Sequence, residues 1–422
     1  MAGDDVLPNA TIGEPRWQCP PADRARDAAR AGLAGGAKRL SILVPYLAVG
    51  GAERSMLKLA GGIADRGFAV DLVLAHATGP LLGEVPATVH LVDLGARRVL
   101  ASLPGLVSYL RRERPAALLS VLHANMVALW ARRLAGVPTR IAVSERNTLS
   151  REAGHYASDL RLRLMPRLAR RCYPWADAIV AVSQGVADDL AQAARLPREC
   201  IRVIYNPIVT PQFVAKLHEP LEHPWFDMGE PPVIVAVGRL TAQKDWPLLI
   251  RCFARLRWGR AVRLLILGEG EERPGLEALV RQLGVAHDVA MPGFVANPYP
   301  YMARAATFVL SSRWEGLPGV LIEALCCGVP LVATDCPSGP REILEGGRHG
   351  RLVPVGDEEE LTLAMAAALD GDVPPPAEGS WRRFELETVV DQYLHVLLES
   401  PGQLPRHLLT RDCAREYARQ DH

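Results

Sequence analysis

From residue 39 onward, short apolar runs alternate with longer amphipathic stretches. Residues 39–47 form the first apolar run and predict a strand; Gly50-Gly51 follows, then a helical pattern from Ala52 to about Asp65. Further strands are predicted at 69–75, 89–91, 117–122, 141–144 and 178–182, and a helix with an arginine-rich polar face at 103–112. Strands that alternate with helices predict a parallel sheet covered on both faces. Prolines interrupt the pattern at 205–211 and 219–224. A second series starts at 233–238 and continues with strands predicted at 263–267, 289–291, 307–310, 331–333 and 350–353. Residues 371–379 read as a linker, and 386–398 as a helix.

The predicted fold class is therefore α/β, with two doubly wound, Rossmann-like domains facing across a cleft. The expected division is a tail at 1–38, a first domain at 39–212, a second at 213–380, a C-terminal helix at 381–400 and a tail at 401–422. In open parallel sheets ligands bind beyond the C-terminal strand ends. The informative residues should follow directly after strands.

Composition narrows the class. The 422 residues are 49% apolar and 23% charged, which excludes a disordered or fibrous chain. A net charge of +1 gives no reason to expect nucleic acid as a partner. Charge is divided, however: residues 1–212 hold 27 Lys+Arg against 18 Asp+Glu, while residues 213–422 hold 21 against 29. A basic and an acidic half point to two units with different partners. The polar, proline-broken start does not match a secretory signal, and no apolar run reaches the ~20 residues that cross a bilayer. Eight Cys without a CxxC pair predict reduced thiols, neither a disulfide framework nor a zinc site, and a cytoplasmic location.

Four constellations carry candidate chemistry. The first is Ser311–Gly328, where a strand ends near Leu310, a loop presents Glu315 and Gly316, and Pro318 opens a helix that Gly328 closes. The start of such a helix offers free N–H groups and a positive dipole end, which attract anions. Glu315 and Glu323 stand up to ~12 Å apart at the helical rise. That suits a ligand with a phosphate centre and a polyol on each side, such as a nucleotide sugar; an ordinary capped helix with two solvated acids is the other reading. The second is Val237–Asp245, where Arg239 and Lys244 on a strand-to-helix turn can neutralise a diphosphate. The third is Gly50-Gly51-Ala-Glu-Arg-Ser55, where glycine lets a ligand approach the backbone. It is not GxGxxG, and the next strand ends Leu74-Ala-His-Ala-Thr78 without the acid that a dinucleotide ribose requires. The fourth is His123, at a strand end.

Weaker signals are Gly268-Glu-Gly270, which together with Gly238 would floor a nucleotide pocket, and Phe294 and Val295, which would line a base. Arg161, Arg163, Arg167, Arg170 and Arg171 among Leu162, Leu164, Met165, Leu168 and Trp175 form a basic amphipathic stretch suited either to anionic lipid or to a half-buried helix. Ser183 is not in a GxSxG elbow, so hydrolase chemistry is unsupported.

Taken together, GGAERS, VGRLTAQKD, GEGEE, GFVANPYPYM, SSRWEGLPGVLIEAL and SGPREIL resemble the family 4 glycosyltransferases, retaining enzymes of the GT-B fold, over residues 40 to about 395. Ser144-Glu-Arg-Asn147 and Tyr205-Asn-Pro207 resemble members that transfer hexose or N-acetylhexosamine in lipopolysaccharide-core and surface-glycan synthesis. The resemblance implies that Arg239 and Lys244 bind the donor diphosphate, with the segment Gly316, Leu317 and Val320 supplying amides. It implies that Glu315 contacts the donor sugar, Glu323 the ribose, His123 the reaction centre, and Gly50 and Gly51 the donor phosphate and acceptor. Gly319 departs from the family, which often carries Asn there. The resemblance further implies a UDP-linked donor, a glycan or lipid-linked acceptor, no cofactor, no essential metal and no DxD motif, and none is expected in this sequence. It is compatible with peripheral attachment to the inner face of the cytoplasmic membrane. Two other readings stay open: a GT-B sugar-nucleotide epimerase and a non-catalytic glycan-binding scaffold.

Overall fold

The computed structural model describes residues 38–48, 50–150 and 160–399, and only the backbone of 160–163. Apart from Lys38, the tails expected at 1–38 and 401–422 lie outside these residues, as do the side chains of Arg161, Leu162 and Arg163. The first series gives β1 (Arg39–Val44), β2 (Ala69–Leu74), β3 (Val89–Asp93), β4 (Ala117–Val121), β5 (Arg140–Glu145), β6 (Ala178–Ala181) and β7 (Ile201–Val203). They form one sheet in the order β3-β2-β1-β4-β5-β6-β7, parallel throughout. The second series gives β8 (Val233–Val237), β9 (Arg263–Leu267), β10 (Val289–Gly293), β11 (Thr307–Leu310), β12 (Leu331–Thr334) and β13 (Arg351–Val353). These form a parallel sheet in the order β10-β9-β8-β11-β12-β13.

Every position of β4, β6, β11 and β12 is buried. Strands covered on both faces read as unbroken apolar runs, which is why the pattern located them. One face of the first sheet is covered by the helix Gly51–Asp65, where Met56, Leu59 and Ile63 meet Leu40, Ile42 and Leu72. The other face carries Leu106, Tyr109, Leu129 and Tyr173 against Leu43, Val73 and Val143. In the second sheet, Leu249, Phe253 and Met365 pack on Ile234, Leu264 and Ile266.

Strand order reverses between β1 and β4 in the first sheet and between β8 and β11 in the second. Such switch points open a crevice at the C-terminal strand ends. The four segments that follow these strands begin at Pro45, Leu122, Gly238 and Ser311. They contain Gly50 and Gly51, His123, Arg239 and Lys244, and Glu315.

The chain passes between the sheets twice, side by side. Ile208 and Val209 N–H donate to the Phe384 carbonyl at 3.0 and 3.1 Å, and Leu386 N–H donates to Val209 at 2.9 Å. The second passage carries the helix Leu386–Leu398 back onto the first sheet, where Val389, Val390, Tyr393 and Val396 join the core around Leu40 and Met56.

Candidate functional site

The segments after β8 and β11 are laced together. Lys244 Nζ donates to Glu315 Oε1 at 2.6 Å, and Ser312 Oγ donates to the same oxygen at 2.7 Å. Gln243 Nε2 donates to the Trp314 carbonyl at 2.9 Å and to Glu315 Oε2 at 3.3 Å. Ser311 Oγ donates to the Lys244 carbonyl at 2.7 Å. Asp245, buried and in the left-handed region at φ 48°, receives Arg313 at 2.7 and 3.0 Å. Trp246 Nε1 holds the Arg239 carbonyl at 2.9 Å, while the Arg239 side chain is exposed. Lys244 and Glu315, expected to serve separate parts of a donor, are thus each other's partners as folded.

Beyond Glu315, the Gly316 carbonyl accepts from Ser183 Oγ and Ser338 Oγ, both at 2.9 Å. Ser183 belongs to the first half, so this bond closes the cleft from one side. Ser183 also caps its own helix through Val186 N–H, which is its role in place of hydrolase chemistry. The helix starts at Gly319, with Pro318 one residue before it at φ −68°, ψ 100°, not inside the first turn as expected. Gly328 closes it at φ 71°. Leu317 is buried and Val320 half-buried against the core. A β-carbon on Gly319 would meet Ile208 at 3.3 Å, so the family's larger residue would need that side chain to give way.

Glu323 faces the other half. Tyr299 Oη donates to it at 3.3 Å, and the charges of Lys58 and Arg54 act on it. Burial pushes its carboxyl up, and burial pushes the Lys58 ammonium down. Lys58 Nζ donates to the Ile208 carbonyl at 2.9 Å.

In the first half, Gly50 is extended at φ −139°, ψ 157°, and the helix starts at Gly51. The space above Gly50 is filled by the Glu53 carboxyl: a β-carbon there would stand 2.2 Å from Oε2. The glycine expected to admit a ligand to the backbone admits this carboxyl. His123 is exposed at the step from β4 into the helix Ala124–Ala135, after Leu122 at φ 57°.

The remaining expectations fare unevenly. Gly268, at φ 149°, would place a β-carbon 1.9 Å from the Gly238 carbonyl, so these glycines let two turns meet backbone to backbone. Val295 is half-buried, but Phe294 is 63% exposed. One Asp-x-Asp triplet does occur, Asp370-Gly-Asp372. It follows the helix Glu358–Leu369, and Asp370 is paired with Arg260 at 2.9 Å, away from the strand ends. Sequence reasoning gave no role to Gln243, Ser312, Glu53, Arg146 or Lys58. All but Lys58 lie inside motifs quoted for their neighbours, and the interactions that single out Glu53, Arg146 and Lys58 arise only when the halves are brought together.

Comparison with known proteins places this geometry. The model described as glycosyl transferases group 1 matches residues 231–371, and the model described as glycosyltransferase family 4 matches residues 49–211. The lipopolysaccharide core biosynthesis glycosyltransferase LpsE of Rhizobium meliloti is 30% identical over 377 residues, covering 83% of this chain and 97% of that protein. A Campylobacter jejuni relative, N-acetylgalactosamine-N,N'-diacetylbacillosaminyl-diphospho-undecaprenol 4-alpha-N-acetylgalactosaminyltransferase, is 34% identical over 249 residues, covering 59% of this chain. The chain spans 65% of that relative's length. Among solved structures, Anabaena HepE in complex with UDP-glucose superposes with a TM-score of 0.69 at 22% identity, covering 86% of this chain and all of that one, a likeness of fold.

Proposed function

The chain belongs to the family 4 glycosyltransferases, and from that premise we propose that it transfers a sugar from a nucleoside diphosphate sugar to a hydroxyl of a glycan or lipid-linked acceptor in surface polysaccharide or lipopolysaccharide synthesis. The observation that carries this reading is the pairing of two switch points, with Arg239, Lys244 and Glu315 after β8 and β11 and the glycine turn and His123 after β1 and β4. The names of the R. meliloti and C. jejuni relatives, and the UDP-glucose held by HepE, support it. In this reading the sugar is a hexose or N-acetylhexosamine, the nucleotide is UDP, the anomeric configuration is retained and no metal is essential.

Donor binding exchanges one set of contacts for another. The diphosphate takes Lys244 from Glu315 and draws in exposed Arg239, while the freed Glu315 carboxylate receives sugar hydroxyls. Glu323 receives the ribose, and His123 lies at the reaction centre. The N–H groups at the start of the helix Gly319–Cys327 add positive potential. The acceptor hydroxyl attacks the anomeric carbon on the face from which the diphosphate departs. The departing phosphate oxygen takes the proton, and Arg239, Lys244 and the helix amides hold the developing charge.

The same reading places the acceptor at an anionic membrane surface on the cytoplasmic side. No described helix is long and apolar enough to cross a membrane. Trp130, Leu134, Leu164 and Leu168 are exposed beside Arg133, Arg167, Arg170 and Arg171, on two helices without an acidic residue. The test of the donor is thermal shift with a panel of UDP- and GDP-linked sugars. A true donor raises the melting temperature with concentration by mass action, and a panel without effect would overturn the proposal.

A further inference from the structure

Glu53 is the third residue of the helix Gly51–Asp65, at the first sheet's switch point. Its side chain folds back over Gly50 and is 8% exposed. Burial pushes the carboxyl up, against the pull of Arg146 and Arg239. Arg239 follows β8 in the other half, so the carboxyl lies where the two switch points face one another.

Arg146 directly follows β5 and is 4% exposed. Its Nη1 donates to Tyr393 Oη at 3.3 Å, while Nε and Nη2 have no acceptor among the described residues. Its carbonyl lies 2.3 Å from where a β-carbon on Gly316 would stand, which puts this arginine against the segment after Glu315. A buried guanidinium with two unmet donors is costly, and the opposing charge acting on it is that of Glu53.

A carboxylate repels a diphosphate, so a carboxyl in this mouth suits the other reactant. The attacking group of the acceptor is a hydroxyl, which is a hydrogen-bond donor. We propose that Glu53 is the acceptor-side contact of the cleft, its carboxyl receiving the hydrogen bond of the attacking hydroxyl, with Arg146 as a positioning residue. This rests on the glycosyl-transfer reading above. In the step, the acceptor oxygen bonds to the anomeric carbon as that carbon's bond to the phosphate oxygen breaks. The electron pair leaves with the phosphate, which also takes the proton. Glu53 aligns the hydroxyl and has no net proton change.

Water is the acceptor in slow donor hydrolysis, so the test needs no identified glycan. The full chain is given UDP-glucose, UDP-galactose, UDP-N-acetylglucosamine and UDP-N-acetylgalactosamine; UDP release is followed and donor Kd measured by calorimetry. Glu53→Gln is expected to lower release at saturating donor about ten-fold or more and to leave donor Kd within about three-fold. Gly50→Ala, which drives a methyl into the carboxyl without removing its charge, is expected to lower release likewise, and it carries that part of the test if Glu53→Gln does not fold. The charged groups acting on Glu53 are Arg146 and Arg239, and Tyr393 bonds Arg146. Arg146→Met should therefore move the acid limb of the release profile to higher pH, and Arg146→Lys should bring it back.

Unchanged release in the variants overturns the proposal. So does a donor Kd altered more than about ten-fold, which would make Glu53 a donor ligand, and so does a wild type that binds donor without releasing UDP. A wild type that binds none of these nucleotide sugars overturns the donor reading itself and this inference with it.

Discussion

Lys244 and Glu315 meet at 2.6 Å with side chains only 14% and 8% exposed. Removing one partner of such a pair strands the other charge, at a cost of about 3 kcal/mol. Glu315→Ala should lower the melting temperature and reduce transfer about 100-fold or more. Lys244→Met combined with Glu315→Leu should restore much of the stability and none of the activity. Melting curves and transfer assays on the singles and the double decide it: if the double is as unstable as the sum of the singles, the two charges do not act as a pair.

Arg239 is exposed, and its side chain makes no ion pair within 4 Å among the described residues. Arg239→Ala should therefore leave the melting temperature of the protein alone unchanged. Donor-induced stabilisation and turnover should fall together, by about ten-fold or more. Retained donor stabilisation would remove Arg239 from the diphosphate site.

Glu323 gives a pH dependence with a definite sign. Burial raises its folded-state pKa above the unfolded value of about 4.3. The folded state then binds the proton more readily, so this group's contribution favours folding at acid pH and is lost as pH rises through the raised pKa. The stability of wild type minus that of Glu323→Gln should fall steadily from about pH 4 towards neutrality. Denaturant titrations across that range that show a flat or rising difference would contradict the burial account.

The proposed contact with an anionic membrane is tested by flotation. The full chain should float with vesicles containing phosphatidylglycerol, stay behind with phosphatidylcholine alone, and lose binding as salt rises. Arg167→Glu with Arg171→Glu should reduce flotation about ten-fold or more, without changing donor stabilisation. Equal flotation with both lipids would argue against charge recognition.

The last helix is integral to the first half. Val389, Val390, Tyr393 and Val396 are at most 2% exposed, and burying each contributes about 1.5–3 kcal/mol. Deleting residues 386–422 exposes the opposing surface of Met56, Leu59 and Ile63, a loss comparable to the whole stability of a domain, about 5–15 kcal/mol. The truncated chain should bind hydrophobic dyes and lack a cooperative melt.

The strands were legible because a parallel strand covered on both faces leaves an unbroken apolar run, as in β4 and β11. The edge strand β7, Ile201–Val203, was not, since Arg202 interrupts its short apolar run. Lys244 and Glu315 were legible as chemistry because each follows a strand, but their mutual bond joins residues 71 apart and no periodicity reports it. Glu53 sat inside a quoted motif and stayed hidden behind its glycines. Phe294 reads as a residue that lines a base, yet it is largely in solvent.

The twin passages at Ile208–Val209 and Phe384–Leu386 run hand in hand, so the two halves are joined by two lengths of chain that bond each other. A polar clasp stands beside this crossing: Glu342 receives Gln184 N–H at 2.9 Å and Tyr205 Oη at 2.8 Å, its carbonyl accepts from Arg383 at 2.8 Å, and Ser183 Oγ donates to the Gly316 carbonyl at 2.9 Å. Unfastening it exchanges hydrogen bonds for water at little net expense.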